Sequence, residues 1–382
     1  MDSQGKNKVT EGKARNGALL AIFLVGLCIG VVVAERVYIA RGGRVPKPRF
    51  LRTHHDSLRS IVPSADHASS GNTAAAESGA LPAYSDSLPP RNDLEELLRK
   101  IAPKKEVLVA VANKNVNWDG MLATFTNGIK AAGISNHLIV ALDQETKSWA
   151  DVKGINAYLL NLEVHKAQAG TGDNHAVSAM KFGILKRFVE LGYAVLLSDV
   201  DISILQNPFD FLYRDSDVEG MTDGFDEPTA YGSIEGFDDP SMGWARFAQF
   251  YKHFNMNSGL FYLRANKRTL ELLVRLETRL SKQKYWDQTA YNEEIFFLSH
   301  GSYKSPQVSV RVMEIDKFMN SKRLFKDIRH RPKSSQPPKP VTVHVNYHPD
   351  KHERMKAIFK YYNEGDEHAL EPFPGGSEQG SR

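Results

Sequence analysis

The chain has 382 residues, enough for one large domain or two modest ones in addition to any tail. Its apolar fraction of 41% and charged fraction of 25% are those of an ordinary globular protein. The formal net charge of +4 argues against a nucleic-acid-binding protein, which would carry a clustered basic face. The one cysteine, Cys28, lies in an apolar N-terminal run, so the rest of the chain has no internal disulfide.

The apolar run at residues 17–34, GALLAIFLVGLCIGVVVA, is close to the roughly 20 residues that span a bilayer. It is longer than the apolar core of a cleaved signal peptide, about 7–15 residues, and no clear small-x-small cleavage pattern follows it. We therefore expect a membrane anchor over residues 17–39, preceded by a cytoplasmic tail at residues 1–16. Basic residues flank the run on both sides, so the positive-inside rule leaves its orientation open.

Residues 40–92 are rich in Ser, Ala, Pro, Gly and His and lack hydrophobic periodicity, which is typical of a flexible stem. Regular patterns begin at Asp93. We predict a single catalytic domain over residues 93–377 and a short tail at residues 378–382.

The first part of this domain alternates between helical and strand patterns. A short amphipathic helix is predicted for residues 93–101, where three leucines and an isoleucine share one face. The continuous apolar run EVLVAVA at residues 106–112 predicts a strand buried on both faces. Helical spacing over residues 120–132 precedes a second buried strand at 137–142, and a third, shorter strand is predicted at 156–160.

The same alternation continues with a helix over residues 176–191, which Gly192 ends, and the buried strand YAVLL at 193–197. This order predicts parallel strands joined by crossover helices. Further along the chain, NSGLFYL at 257–263 predicts a strand, residues 269–282 a helix, and residues 341–345 a final strand.

Ligands of such sheets bind beyond the carboxyl ends of the strands, where Asn113, Asp143, Asp199 and Asp201 follow predicted strands. Asp199 and Asp201 would repel each other unless a cation lay between them, and a hard divalent ion with oxygen ligands meets that need. Such an ion would bridge two phosphate oxygens of a nucleotide. Alternatively, one Asp caps the next segment and the other faces water.

The segment HVNYH closes the final strand with His344 and His348. Imidazole is a good ligand for Mn²⁺, so His344 is a candidate third ligand, although a structural histidine at a strand end also fits. Two histidines four apart in a strand would share a face, which makes His348 a candidate substrate contact. Lys351 could pair with a diphosphate as a point charge, although a lone lysine is usually solvated.

Trp286, Asp287 and Gln288 form a candidate sugar subsite, because a Trp face can stack on a sugar ring and the neighbouring polar groups can bind its hydroxyls. The alternative is a helix start, in which Asp287 is the N-cap and Trp286 packs in the core.

The polar loop Gly172-Asp173-Asn174-His175 precedes a helix N-terminus that would favour an anion, and Lys181 lies two turns further on. Asn174, His175 and Lys181 are therefore weaker donor-binding candidates, and Asn257 is another at the start of its strand. Trp244 and Phe247, in SMGWARFAQFY, are candidates for an acceptor groove, although a packed helix is the simpler interpretation.

Several long segments together resemble plant nucleotide-diphospho-sugar transferases of glycosyltransferase family 77, and within it the "reduced residual arabinose" arabinosyltransferases. They are LLSDVDISILQNPFDFLYRDSDVE, TAYG, MGWAR, NSGLFYLR, WDQTAYNEE, FMNSKRLFK and HVNYHPDKHERMKA. The resemblance runs from about residue 93 to 377. Asp173 stands where similar sequences have Gly, and Gly183 stands where an Arg is expected, so a phosphate contact from position 183 is missing.

The resemblance implies an α/β fold of the GT-A type, a Rossmann-like mixed sheet with flanking helices, in a Golgi type II membrane protein with a luminal catalytic domain. It implies transfer of L-arabinofuranose from a UDP-sugar to a hydroxyproline-linked arabinoside of extensins, with retention. Mn²⁺, with Mg²⁺ as the alternative, would bind to Asp199, Asp201 and His344, and Asp287 and Gln288 would be the catalytic pair. A different UDP-sugar (galactose or xylose), a non-catalytic nucleotide-sugar-binding module and a metal-dependent phosphohydrolase remain alternatives.

Overall fold

The structure is a computed structural model that describes residue 81 and residues 87–169, 173–235, 250–296 and 308–375. The predicted cytoplasmic tail, anchor, most of the stem, the Trp244 and Phe247 segment and the C-terminal tail lie outside the described residues. Within the described ranges, no helix combines the length and the apolar character needed to cross a membrane.

Helices cover much of the described chain. In order they are α1 (Asp93–Ile101), α2 (Ala123–Ala131), α3 (Gln144–Val152), α4 (Asp173–Glu190), α5 (Glu227–Tyr231), α6 (Lys267–Lys282), α7 (Asp287–Phe296) and α8 (Lys351–Phe359). The strands, in order, are β1 (Glu106–Ala112), β2 (His137–Ala141), β3 (Ala157–Leu159), β4 (Ala194–Ser198), β5 (Ile202–Ile204), β6 (Val218–Thr222), β7 (Ser233–Glu235), β8 (Phe250–Lys252), β9 (Met256–Leu263), β10 (Val310–Val312), β11 (Phe318–Asn320) and β12 (Thr342–His344).

The central sheet has seven strands in the order β10-β6-β9-β4-β1-β2-β3. The strands β4, β1, β2 and β3 are mutually parallel, as the alternation of strands and helices predicts. β9 lies between β4 and β6 and is antiparallel to both, so the sheet is mixed. The predicted mixed α/β sheet with flanking helices is therefore confirmed.

Both faces of this sheet are covered, and β1 shows how its sequence achieves that. Leu108 and Ala110 belong to one apolar core, whereas Val107 and Val109 belong to the other. Because successive side chains of a strand point to opposite faces, a continuous apolar run is needed to fill both cores.

Helices α3 and α4 differ from the prediction at candidate residues. α4 begins at Asp173, so Asn174 and His175 lie in its first turn, whereas the sequence predicted a polar loop there. The helix α3 was not predicted, and Asp143 caps it by accepting a hydrogen bond from Thr146 N at 2.8 Å. The backbone amide of Lys114 donates to the same carboxylate at 2.6 Å, so Asp143 has a structural role.

A second, three-stranded sheet has the order β11-β12-β5. β5 begins immediately after Asp201, and β12 pairs with it in antiparallel register, with His344 opposite Ile202. This pairing carries the last predicted strand back to the end of β4, although some 140 residues separate the two in the chain.

The start of α8 is fixed by a fully buried arginine. Arg354 is 1% exposed, donates to Asp350 Oδ1 at 2.8 Å, and lies over the rings of Phe325 and Phe373. A charged group is buried at low cost only when it is paired in this way. The contact holds the first turn of α8, and with it Lys351, against the small sheet.

Candidate functional site

The two acids at the exit of β4 are held by backbone hydrogen bonds to other strands. Asp199 N donates to Gly259 O at 2.7 Å, which ties it to β9, and Val345 N donates to Asp201 O at 3.0 Å. Asp201 is 6% exposed, and the Asp199 side chain is 39% exposed. One carboxylate is therefore deeply buried and the other faces the cavity described below.

His344 completes a potential metal site with these acids. Its Nε2 lies 3.1 Å from Asp201 Oδ1, and one ligand atom from each of Asp199, Asp201 and His344 lies within 4.8 Å of the others. Two carboxylate oxygens and an imidazole nitrogen form a donor set that suits Mn²⁺. The structure thus brings together the three residues that the sequence analysis proposed as ligands.

Gly259 leaves open the space that this site needs. A Cβ at this position would lie 2.5 Å from His344 Cε1 and 2.8 Å from Asp199 Oδ2, closer than real Cβ contacts. Any larger residue would therefore fill the cradle between the two ligand side chains. The glycine, together with the donor set, supports a bound cation at this place.

Two of the three candidate ligands, Asp199 and His344, have raised pKa values in this cluster. Burial and the neighbouring Asp201 raise the pKa of Asp199, although Lys181 acts in the opposite direction. Burial also raises the pKa of Asp201, but His344 and Lys351 outweigh it and hold that pKa below its usual range. Burial lowers the pKa of His344, and the two aspartates overcome this effect and raise it. A divalent cation would therefore compete with protons on Asp199 and His344.

We expect metal binding to tighten as the pH rises. His344 binds a metal only when neutral, and its raised pKa keeps it protonated above about pH 6.5, the ordinary midpoint. Titrating the protein with Mn²⁺ between pH 5.5 and 8.5 should give weak binding at the acidic end and tighter binding as His344 loses its proton. An affinity that does not change over this range would contradict the assignment of His344.

A buried lysine links the metal ligands to the predicted catalytic pair. Lys181 is 3% exposed; its Nζ lies 3.0 Å from Asp287 Oδ2 and 3.7 Å from Asp199 Oδ1 and donates to Ser258 O at 3.0 Å. Ser258 Oγ also donates to Asp287 Oδ2, at 2.9 Å. Burial raises the pKa of Asp287, but Lys181 and Ser258 more than offset it, so the carboxylate is ionised.

Gln288, the second member of the predicted catalytic pair, belongs to a hydrogen-bond network around Asp223 that was not predicted from the sequence. Gln288 Nε2 donates to Asp223 Oδ2 at 2.5 Å, and Asn257 Nδ2 donates to Asp223 Oδ1 at 2.7 Å. Asn346 Nδ2 lies 3.3 Å from the same oxygen. Asp223 directly follows β6, but β6 is the polar segment VEGMT, so no apolar run marked the residue after it as a strand end.

A cavity of about 420 Å³ opens beside the metal ligands, within the range of roughly 300–1,000 Å³ typical of ligand pockets. Its walls come from the ends of β1 and β4, the first turns of α4 and the start of α8. The polar residues that line it include Asn113, Asn115, Asn117, Ser178, Lys181, Asp199, Asp201 and Lys351. Lys351 Nζ lies 2.6 Å from Asp201 Oδ2, so this predicted contact is held at the cavity by a charge partner.

The structure places the other candidates differently. The strand ends at His344, so His348 does not share a strand face with it; His348 is buried beside Phe325, and burial and Arg354 lower its pKa to about 4. Neither His348 nor Asp143 is among the described residues that line the cavity. His175 is exposed on the first turn of α4. The Asn174 side chain lies outside the described part of the structure.

The burial of Trp286 and Asp287 differs from the helix-start alternative, in which Trp286 packs in the core. Asp287 is 5% exposed and is the first residue of α7, whereas Trp286, just before the helix, is 55% exposed. Asn292 fixes this end of α7, because its side chain both donates to and accepts from the backbone of Met256 at 2.8 Å. Trp286 is thus available to a ligand, and Asp287 points into the charged cluster.

Gly183 has no place in the cavity. A Cβ on this residue of α4 would meet Glu277 Oε1 of α6 at 2.6 Å. An arginine at position 183 would therefore face α6. The residue that α4 directs at the cluster is Lys181.

We expect Gly259→Ala to weaken Mn²⁺ binding by at least about tenfold, because the added methyl displaces His344 or Asp199. Gly183→Ala is the matched control, since its methyl meets only the flexible end of Glu277. Mn²⁺ titration of both variants checks the prediction. Unchanged affinity in the Gly259 variant would show that the three side chains are not the ligands.

Comparison with known proteins identifies the family of the chain. Residues 132–358 match the family described as nucleotide-diphospho-sugar transferase. Arabinosyltransferase RRA2 of Arabidopsis thaliana is 48% identical over 294 residues, which are 77% of this chain and 68% of that protein. Arabinosyltransferase RRA1 of the same plant is 43% identical over 285 residues, 74% of this chain and 70% of its own length.

Among solved structures, the galactosyltransferase LgtC, in complex with donor and acceptor sugar analogues, aligns with 68% of this chain and 96% of its own at 14% identity. Its TM-score of 0.43 is too low to establish a shared fold. The family match and the two plant relatives do not depend on that comparison. The chain belongs to the nucleotide-diphospho-sugar transferase family and is a glycosyltransferase.

Proposed function

We propose that this glycosyltransferase transfers L-arabinofuranose from a UDP-sugar to a hydroxyproline-linked arabinoside of cell-wall glycoproteins such as extensins, with retention. The names of its two similar plant relatives, both arabinosyltransferases, support the transferred sugar. The observation that carries the proposal is the cluster of Asp199, Asp201 and His344 at the mouth of a cavity that Lys351 also lines. A GT-A type of fold belongs to the same proposal.

We propose a role for each side chain of the cluster. A divalent cation held by Asp199, Asp201 and His344, with Mn²⁺ as the expected ion, would neutralise charge on the departing diphosphate. Lys351 adds a positive charge at the same side of the cavity. Asp287, which accepts a hydrogen bond from Ser258 Oγ at 2.9 Å, can accept another from a hydroxyl of the donor sugar, and Lys181 keeps Asp287 in position.

Retention of the anomeric configuration requires that the acceptor attack the face of the sugar from which UDP leaves, or that two successive inversions occur. We propose the front-face route, in which the acceptor hydroxyl attacks as UDP departs. Asp287 Oδ2 already accepts from Ser258 and contacts Lys181, so these groups compete with its use as a nucleophile. Isolation of a glycosyl-Asp287 adduct from a slowed variant would establish the covalent route instead.

The cellular setting is also part of the proposal. An anchor at residues 17–39 and a stem at residues 40–92 would place the catalytic domain in the Golgi lumen as a type II membrane protein. The apolar run at residues 17–34 supports the anchor. Fractionation of the tagged protein with protease protection of the C-terminal domain tests both the location and the orientation.

A panel of UDP-sugars with Mn²⁺ tests the activity. UDP release is measured with and without short arabinosylated hydroxyproline peptides, and the linkage of the product is determined. Acceptor-dependent release from UDP-arabinofuranose is expected. Preference for UDP-galactose or UDP-xylose would replace the donor, UDP binding without turnover would indicate a non-catalytic module, and release of UMP or phosphate without acceptor would indicate a phosphohydrolase.

A further inference from the structure

Tyr347, beside Asp223, has a backbone conformation that side chains rarely adopt. Its φ is +69°, and only Lys105 and Arg214 share a positive φ among the non-glycine residues that the structure describes. For a bulky residue this conformation is strained and persists only where the surroundings enforce it. Glycine or asparagine would fit this backbone more easily, so contacts of the tyrosine side chain must hold it.

Tyr347 is held beside Asp223 while part of the residue stays exposed. Nδ2 of the preceding residue, Asn346, lies 3.3 Å from Asp223 Oδ1, and burial together with the Asp223 carboxylate raises the pKa of Tyr347. Lys322 Nζ lies 4.9 Å from the ring centre, within range of a cation–π contact. The residue nevertheless remains 42% exposed. Tyr347 is thus a partly exposed aromatic side chain with a carboxylate and an ammonium group beside it.

Asp223 connects this ring to the donor side of the site. Its carboxylate accepts from Gln288 at 2.5 Å and from Asn257 at 2.7 Å. Asn257 Oδ1 in turn accepts from Gly259 N at 2.8 Å, next to Asp199. Asp223 therefore contacts both Gln288, which is predicted to lie at the donor sugar, and Asn346, the residue before Tyr347, so the ring lies near the donor side of the site.

We infer that Tyr347, with Asp223 and Lys322 beside it, forms the acceptor subsite and binds a sugar ring of a glycoside acceptor. A sugar ring has a face of C–H groups that packs against an aromatic surface, and its hydroxyls need polar partners at the edge of that surface. Asp223 can accept a hydrogen bond from a sugar hydroxyl, and Lys322 can donate one. This inference rests on the proposed function and names the site of its second substrate.

Three variants of the full chain test it. Tyr347→Asn removes the ring but suits the left-handed backbone, and Tyr347→Phe keeps the ring but loses the hydroxyl beside Asp223. Tyr213→Asn is the matched control. Tyr213 is 56% exposed, has Arg311 over its ring at 4.5 Å and donates its hydroxyl to Glu314, but it lies before β6, whereas Asp223 follows that strand.

Two measurements separate this inference from the proposed function. UDP-release kinetics give the KM values for donor and acceptor, and saturation-transfer NMR measures binding of a mono-arabinosylated hydroxyproline peptide in the presence of UDP and Mn²⁺. We expect Tyr347→Asn to weaken acceptor binding and raise its KM by about tenfold, and Tyr347→Phe by about threefold. The donor KM and the Tyr213 variant should stay within about twofold of wild type.

Acceptor binding to the Tyr347→Asn variant at wild-type strength would overturn the inference, as would a wild-type protein that binds no arabinosylated peptide. A rise in donor KM equal to that in acceptor KM would also overturn it, because it would indicate a general structural role. If wild type releases UDP from no donor, the proposed function fails, and the NMR titration still decides whether Tyr347 binds the glycoside.

Discussion

Replacing Asp201 by asparagine is expected to lower kcat/KM for sugar transfer by roughly 10³-fold, because the change removes the buried charge on which the cluster is built. Asp201 is the shared partner of His344, at 3.1 Å, and of Lys351, at 2.6 Å. Without that charge, Lys351 loses its counter-ion and the proposed metal loses a ligand. Asp199→Asn should have a similar effect, since Asp199 carries the cavity-facing carboxylate.

Asp210→Asn provides a matched control for these variants. Asp210 is exposed, lies in the same segment of the chain and takes no part in the cluster. The three asparagine variants should be compared for UDP release, Mn²⁺ affinity and circular dichroism, so that loss of metal is distinguished from loss of fold. Full transfer activity in a protein with both Asp199 and Asp201 replaced by alanine would end the assignment of a metal-dependent enzyme.

The sequence predicted the part of the site that depends on local pattern. β4 is a buried apolar strand, all five of its residues are buried, and the acids follow it directly. The run of hydrophobic residues marks the strand, and the switch to acidic residues marks its end at the edge where parallel sheets bind ligands. The position of Asp199 and Asp201 could therefore be read from one short segment.

The sequence could not predict contacts that arise from antiparallel pairing over long chain separations. His344 reaches Asp201 only because β12 pairs with β5 in a register that sets His344 opposite Ile202. No local pattern specifies such a register. His344 was suggested as a ligand by its chemistry, and the resemblance to family 77 supplied the same residue independently.

One prediction, and one of the two alternatives left open for Trp286, were wrong for identifiable local reasons. The expectation that His348 shares a strand face with His344 assumed that the strand continues, but the chain turns at Tyr347, whose φ is positive. The alternative in which Trp286 packs in the core assumed that a large aromatic residue is buried. Instead, Trp286 is exposed and Asp287 is buried, because Lys181 and Ser258 compensate the charge of Asp287.

Lys181→Met is expected to be both inactive and unstable, since it leaves the buried Asp287 carboxylate, and Asp199 beside it, without their shared cation. Burial lowers the pKa of Lys181, but Asp199 and Asp287 outweigh it and raise that pKa, so the side chain is charged. Breaking a buried pair by removing one partner costs about 3–5 kcal/mol. Methionine matches the length of lysine, so lost packing contributes little to this effect.

Lys186→Met on the same helix is the matched control. Lys186 pairs with Glu277, but their side chains are 24% and 30% exposed, so solvent screens the pair. Such a pair contributes at most about 1 kcal/mol. Urea unfolding of the two variants should therefore show a much larger loss of unfolding free energy for Lys181→Met than for Lys186→Met.

A double variant separates the structural role of Lys181 from its role at the substrate. Lys181→Met combined with Asp287→Asn removes the charge that lysine compensates, so much of the lost stability should return, because asparagine is neutral. Transfer activity should not return, since the carboxylate at the donor sugar is then absent. Lys181→Arg keeps the charge and should retain more stability than Lys181→Met. A Lys181→Met protein as stable and active as wild type would show that Asp287 does not need this cation.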